Sequence, residues 1–314
     1  MPDSSPAEPL PLQRCSDLWF SDCGLIIRAE HVLFRLSREM LAARSPVFAD
    51  MLSFAQPDDA ELLDGCPVVS LPDPPDELRV FFRALFDHEF FEPSPAKTEF
   101  AVVHGVLRMS HKYQVDSLRK RALVHLESAF PRLDADLANK STWSRETSHL
   151  SRTIPLCYEV SALWILPNVF FNYCRLFDLK TIAVGYSFDG LNICLPPSQQ
   201  RAALSGCHAL HTRISSKYLD FLWNPEELPG CSSPLQCFRS RAHGRRLAEG
   251  RRLETSYPLW ASCDNATMDV CDRCRGELNK GLHNADAELY RSLPHIFGLP
   301  DWATLDAMRV EALA

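Results

Sequence analysis

The first third of the chain places short apolar runs ahead of longer stripes at helical spacing. Leu25-Ile26-Ile27 and Val32-Leu33-Phe34-Arg35-Leu36 predict two short strands joined by a turn near Glu30. Arg38 to Ala43 predicts a short helix. Ser45-Pro46 then offers an N-cap followed by proline at the first helical position. Behind it Val47, Phe48, Met51 and Leu52 form an apolar stripe. After a polar stretch from Asp58 to Gly65, Pro67-Val68-Val69-Ser70-Leu71 predicts a third strand. Three helices follow. Leu78, Phe81, Phe82 and Leu85 mark one, opened by Pro74-Pro75. Phe100, Val103 and Leu107 mark the next, and Val115, Leu118, Ala122 and Leu126 the third, closed by Pro131. Strands first and helices after, without alternation, predict an α+β domain over residues 15–133.

Either side of this block the pattern weakens. Residues 1–14 carry four prolines and little periodicity, as expected of a disordered tail. Residues 134–155 are polar and predict a linker or a solvated helix. From residue 156 to 314 the spacing is mainly helical. Tyr158–Leu166 and Val169–Phe177 are separated by Pro167, and residues 185–200 are expected to be loop. Arg201–Trp223 predicts a helix, Pro225–Pro234 a break and Arg275–Leu293 a further helix. Trp164, Trp223, Trp260 and Trp302 are expected to anchor this helical core.

Composition narrows the classes. At 314 residues the chain has room for about two domains, and 46% hydrophobic with 23% charged residues is a globular mix. The most apolar run, Val160–Phe171, is too short to cross a bilayer and contains Pro167. Residues 1–135 hold 21 acidic and 14 basic side chains, whereas residues 136–314 hold 19 of each. An acidic first half argues against a general nucleic-acid binder, which needs a basic face. The start of the chain is not patterned as a secretory signal. A cytoplasmic or nuclear setting with reduced cysteines is therefore expected.

Cysteine poses the sharpest chemical question. Cys271-Asp272-Arg273-Cys274 is a CxxC, with Cys231 and Cys237 upstream in the spacing C-x5-C-x33-C-x2-C. Four thiolates can close a tetrahedral structural zinc site. Cys207, His208, His211, His243, Cys263 and His283 offer further ligands. The alternatives are buried thiols acting as small hydrophobes, or a redox CxxC, for which the usual βαβ context is missing. The arginine run Arg239, Arg241, His243, Arg245, Arg246, Arg251, Arg252 suits a solvated loop or helix face. A phosphate-contacting cluster is its other reading. GxSxG, HExxH, phosphate-loop and dinucleotide motifs are absent. The expectation is binding rather than catalysis.

Residues Phe34 to Leu52, read as Phe-Arg-Leu-Ser-Arg-Glu-Met-Leu-Ala-Ala-Arg-Ser-Pro-Val-Phe-Ala-Asp-Met-Leu, resemble the core of a BTB (POZ) domain. Flanking pieces fit in order: Asp22 before the first strand, Val68-Val69-Ser70-Leu71, Phe81 to Phe86, and Leu107 to Val115 with its Lys112-Tyr113. The resemblance covers roughly residues 17–131; Ser37 departs from it, since the family usually has His there. The remainder looks like the C-terminal region of BTB proteins abundant in mushroom-forming fungi. Its marks are Ala162 to Pro167, the paired cysteines and the Leu-Pro…Phe-Gly-Leu-Pro-Asp-Trp ending.

The resemblance implies a protein-interaction module that dimerises with itself or a relative. A substrate adaptor for a cullin-type ubiquitin ligase is one form of it. A scaffold or transcription-linked factor without a ligase role is the other. Carried over, the dimer face draws on Leu18, Trp19, Phe20 and Met40, with Asp22 paired to Arg38 or Arg44. A partner surface draws on Phe48, Met51, Leu52 and Phe54. Core packing is the competing role for each of these apolar residues, since large hydrophobes are usually buried.

Overall fold

Leu25, Ile26, Ile27 and Ala29 are all buried, so the strand they form must be covered on both faces. The computed structural model, which describes residues 11–54, 61–130, 147–223, 228–252 and 268–314, makes it the centre of a sheet. The strands are β1 (Gln13–Trp19), β2 (Leu25–Ala29), β3 (Val32–Leu36), β4 (Leu62–Leu63) and β5 (Cys66–Leu71). Their order across the sheet is β1-β3-β2-β5-β4. Ile27 on β2 sits opposite Phe34 on antiparallel β3 and opposite Val69 on parallel β5. The β2–β3 turn places Glu30 at φ 50. Two strands go beyond the three expected. β1 forms the edge of the sheet and includes Gln13 and Arg14, which the sequence pattern assigned to a tail. Residues 1–10 of that tail lie outside the described residues.

This block mixes strands and helices, consistent with the α+β expectation, but the order is not strands first: the helices Arg38–Arg44 and Pro46–Ser53 fall between β3 and β4. Helices α1 (Arg38–Arg44) and α2 (Pro46–Ser53) are each opened by a serine. The Ser37 and Ser45 hydroxyls accept from the backbone N–H groups of Met40 and Phe48, satisfying donors the helix leaves unpaired. That cap is a local reason for serine at position 37. The Ser45 hydroxyl also donates to the Tyr113 carbonyl at 2.5 Å. Helices α3 (Pro75–Phe86), α4 (Phe100–Lys112) and α5 (Asp116–Ala129) follow. Phe34, Phe48, Phe81, Phe82 and Tyr113 form one aromatic core; Phe48 stacks on Tyr113 at 4.5 Å. Tyr113 donates its hydroxyl to buried Asp73 at 2.6 Å, and Lys112 reaches the other Asp73 oxygen at 2.5 Å. Burial and that carboxylate push the Tyr113 hydroxyl pKa up. Helices α3 and α4 come close at Gly105, where a Cβ would stand 2.5 Å from Val80 Cγ2.

The chain divides into two compact units, Met1–Leu126 and Glu127–Ala314. The second contains α6 (Thr147–Glu159), a 3-10 turn at Leu163–Ile165, α7 (Leu166–Leu176) and α8 (Leu179–Val184). A hairpin of β6 (Tyr186–Phe188) and β7 (Leu191–Ile193) comes next. Helices α9 (Pro197–Trp223), α10 (Pro234–Arg252), α11 (Asp272–Ile296) and α12 (Trp302–Leu313) complete the unit. Its core includes Phe170 stacked on Phe297 at 5.0 Å. Trp164 is buried, and Trp302 stacks on Tyr290 at 4.6 Å. Trp260 and the side chain of Trp223 lie outside the described residues.

Three expectations for this unit are corrected. Residues 147–155, inside the stretch 134–155 expected to be a linker or a solvated helix, are helical in α6 but not solvated: Leu150 and Ile154 are buried, and Ser148, Ser151 and Thr153 with them. Residues 131–146 lie outside the described residues. The expected 185–200 loop contains the hairpin, turned by Asp189 and Gly190 at φ 50 and φ 75. Asp-Gly favours the positive φ pair that a two-residue hairpin needs. Pro167 is not a break between helices. It lies in the first turn of α7, where its missing N–H has no partner to lose.

Candidate metal centre

Three backbone segments converge in the second unit. Residues 228–233 turn so that the Cys231 N–H donates to the Leu228 carbonyl at 3.0 Å, with Gly230 at φ 82. Cys237 lies in the first turn of α10, and its N–H donates to the Ser233 carbonyl at 2.9 Å. Cys271 is the N-cap of α11, with Cys274 three residues inside it. The CxxC spacing therefore folds as a helix start that turns both sulfurs toward one point.

The four sulfurs of Cys231, Cys237, Cys271 and Cys274 lie within 4.8 Å of one another. Cys274 and Cys231 are 3.5 Å apart, and Cys231 and Cys271 are 3.7 Å apart. A zinc ion bound tetrahedrally at about 2.3 Å requires sulfurs about 3.8 Å from one another. The donor set and its spacing therefore fit a four-thiolate tetrahedral ion. Cys237 and Cys274 are buried, and Cys231 and Cys271 half-buried.

Backbone donors also favour thiolate at this place. The N–H groups of Cys274 and Ser232 point at the Cys271 sulfur, with the Ser232 hydroxyl, and hold its pKa down to about 5. The Cys271 N–H donates to the Cys237 sulfur at 3.2 Å. Burial pushes the Cys237 and Cys274 thiols up.

Bonds around the cysteines tie the same segments together. Arg273 Nε donates to the Pro229 carbonyl at 3.3 Å, Gln236 to Asp269 at 2.6 Å and Arg275 to the Met268 carbonyl at 2.8 Å. Met268 lies against Gly244, where a Cβ would come 2.5 Å from its Cε. Cys207, His208, His243 and His283 are not in the four-cysteine group. Cys263 and the side chain of His211 lie outside the described residues. The arginine run is not a solvated face throughout. It forms part of α10, and Arg241 and Arg245 are buried.

In the first unit the candidate interaction residues separate by burial. Leu18, Phe48 and Leu52 are buried, which matches the competing core-packing role, and offer a partner almost no exposed area in this chain. Phe20 and Met40 are exposed and Trp19 half-buried. Met51 is half-buried, and Phe54, the C-cap of α2, is 72% exposed. Asp22 and Arg44 are exposed. Asp22 pairs with neither Arg38 nor Arg44 among the described residues. Arg38 instead donates to the Leu52 carbonyl, tying α1 to the end of α2.

Among the described residues, no helix is long and apolar enough to cross a membrane. No protein-family model, curated protein or solved structure matches this chain.

Proposed function

We propose that this chain is a protein-interaction protein rather than an enzyme, with its second unit held together by a structural zinc ion. The observation that carries the metal reading is the convergence of four cysteine sulfurs at tetrahedral spacing. Cys231, Cys237, Cys271 and Cys274 would supply all four ligands. A site with four protein ligands has no open position for water or substrate, so the ion would be structural rather than catalytic. It would staple the start of α10 to the start of α11.

The first unit is the interaction module in this reading, a BTB-type domain that dimerises and serves as substrate adaptor for a cullin-type ligase. The order of its sequence motifs supports this, as do Phe20, Met40 and Phe54, large apolar side chains left in water. The adaptor's partner surface centres on Phe54 and Met51, and the dimer face on Phe20 and Met40. Elemental analysis of the purified full chain tests the metal. One zinc per chain is expected, and none would remove that element of the reading. Co-elution with a cullin homologue on a sizing column tests the adaptor. Elution apart from the cullin, at twice the chain mass, would replace it with the dimeric scaffold.

A further inference from the structure

Helix α10 wears its side chains inside out. A surface helix normally buries an apolar stripe and shows its charges to water. Here the buried face carries Cys237, Arg241, Gly244 and Arg245. The opposite face carries Leu235, 76% exposed, Phe238, 47% exposed, and the exposed Arg239 and Arg246. Positions 235, 238, 239, 242 and 246 follow helical spacing, so these residues form one continuous stripe that is apolar at its start and cationic further along. Residues 228–246 contain four arginines, of which Arg239 and Arg246 are exposed, one histidine and no acidic residue, in a chain of net charge −7; Asp269 meets the helix at Gln236. Arg239 and Arg246 form no ion pair among the described residues. The metal cluster backs this face, since Cys237 lies on the other side of the same turn of helix.

We propose that this stripe docks an acidic segment of a separate protein, one that carries Leu or Phe side chains beside its carboxylates. The apolar end would take those side chains and the arginines would take the carboxylates. Charge complementarity selects the partner: the two exposed guanidiniums of Arg239 and Arg246 attract and orient an acidic peptide. A nucleic acid would use the arginines, but its phosphates would gain nothing from Leu235 and Phe238. The proposal extends the interaction reading to the second unit and rests on it, while the metal and the docking are read out separately.

The test is fluorescence anisotropy on the full chain with a labelled peptide repeating Glu-Asp-Leu-Phe. The controls are the same peptide with Lys in place of the acids and a labelled single-stranded DNA. The acidic peptide is expected to bind, with affinity falling as salt is raised. Leu235→Ser with Phe238→Ser should weaken it roughly tenfold or more, the change about 1.4 kcal/mol of lost contact produces. Arg239→Glu with Arg246→Glu should abolish it and keeps the test alive if the serine pair misfolds. The proposal is overturned if the parent fails to bind, if the Lys peptide binds equally well, or if DNA binds as tightly and ignores the serine pair. It is likewise overturned if the serine pair changes the mass of the protein in solution, since the occupant would then be a second copy. Zinc is measured in the same samples. Zinc present with failed binding removes the docking alone, and binding without zinc removes the metal alone.

Discussion

Replacing Phe48 by alanine separates core packing from partner binding in the first unit. The ring is fully buried between Phe82 and Tyr113, with centroids at 6.2 Å and 4.5 Å. Truncating a buried phenylalanine costs about 3–5 kcal/mol, through lost transfer energy and the cavity left behind. The stacked Tyr113 is also held by Asp73 and Ser45. It cannot slide freely into the cavity, which places the cost toward the upper end. A domain of this size has about 5–15 kcal/mol in total, so much of its stability would go. Scaled for a domain between the small and mid-sized classes, the unfolding midpoint should fall by roughly 10–20 °C. Phe54→Ala removes a ring that is 72% exposed and should shift stability by no more than about 0.5 kcal/mol. Scanning calorimetry of the full chain and both variants measures the contrast, and sizing chromatography with the cullin homologue reads binding. If Phe48→Ala melts like the parent yet loses the partner, the assignment of Phe48 to the core is wrong.

Four further outcomes are expected. Cys271→Ser with Cys274→Ser should eliminate bound zinc and make the N-terminal turns of α10 and α11 exchange amide hydrogens faster, leaving amides of β2 unchanged; uniform loss across both units would contradict a local staple. Gly105→Ala forces a Cβ against Val80 and should destabilise the first unit by about 1–3 kcal/mol in a denaturant titration. Asp22→Ala should weaken self-association of a dimeric parent, read as mass by sedimentation; an unchanged mass removes Asp22 from the dimer face. The Asp301 carboxylate caps α12 through the Thr304 N–H, and that bond holds its pKa below the usual carboxylate value. Its contribution is complete above the unfolded value of about 3.9 and is lost as pH falls through the lower folded value. Protection of the first-turn amides of α12, taken as exchange relative to the intrinsic rate at each pH, should therefore fall at acid pH, and Asp301→Asn should flatten that response.

Legibility in the sequence followed the range of the interactions. Ser45-Pro46 and the apolar stripe behind it are set by neighbours in the chain, and the helix starts where they predict. Asp189-Gly190 carried an equally local hairpin signal in a stretch expected to be loop, and the strands it joins are only three residues each. Too few positions are available there for alternation to show. Helix α6 was obscured for a different reason: Ser148, Ser151 and Thr153 are polar in sequence yet buried in the unit. Among the interaction residues, Phe48 and Phe54 are the same amino acid six positions apart, one at the core and one in water.

The cysteine spacing selected four candidate ligands, because a CxxC at a helix start brings its two thiols to one side whatever surrounds it. Only the tertiary structure could bring Cys231 and Cys237 to the same point, since 33 residues separate Cys237 from Cys271 and no local rule spans that distance. The same holds for α10. Its arginines are legible as a charge run, but which of them are buried depends on the face that Cys237 turns toward the cluster. Short-range pattern fixes backbone conformation and caps. The direction in which a helix presents its side chains is decided by what packs behind it.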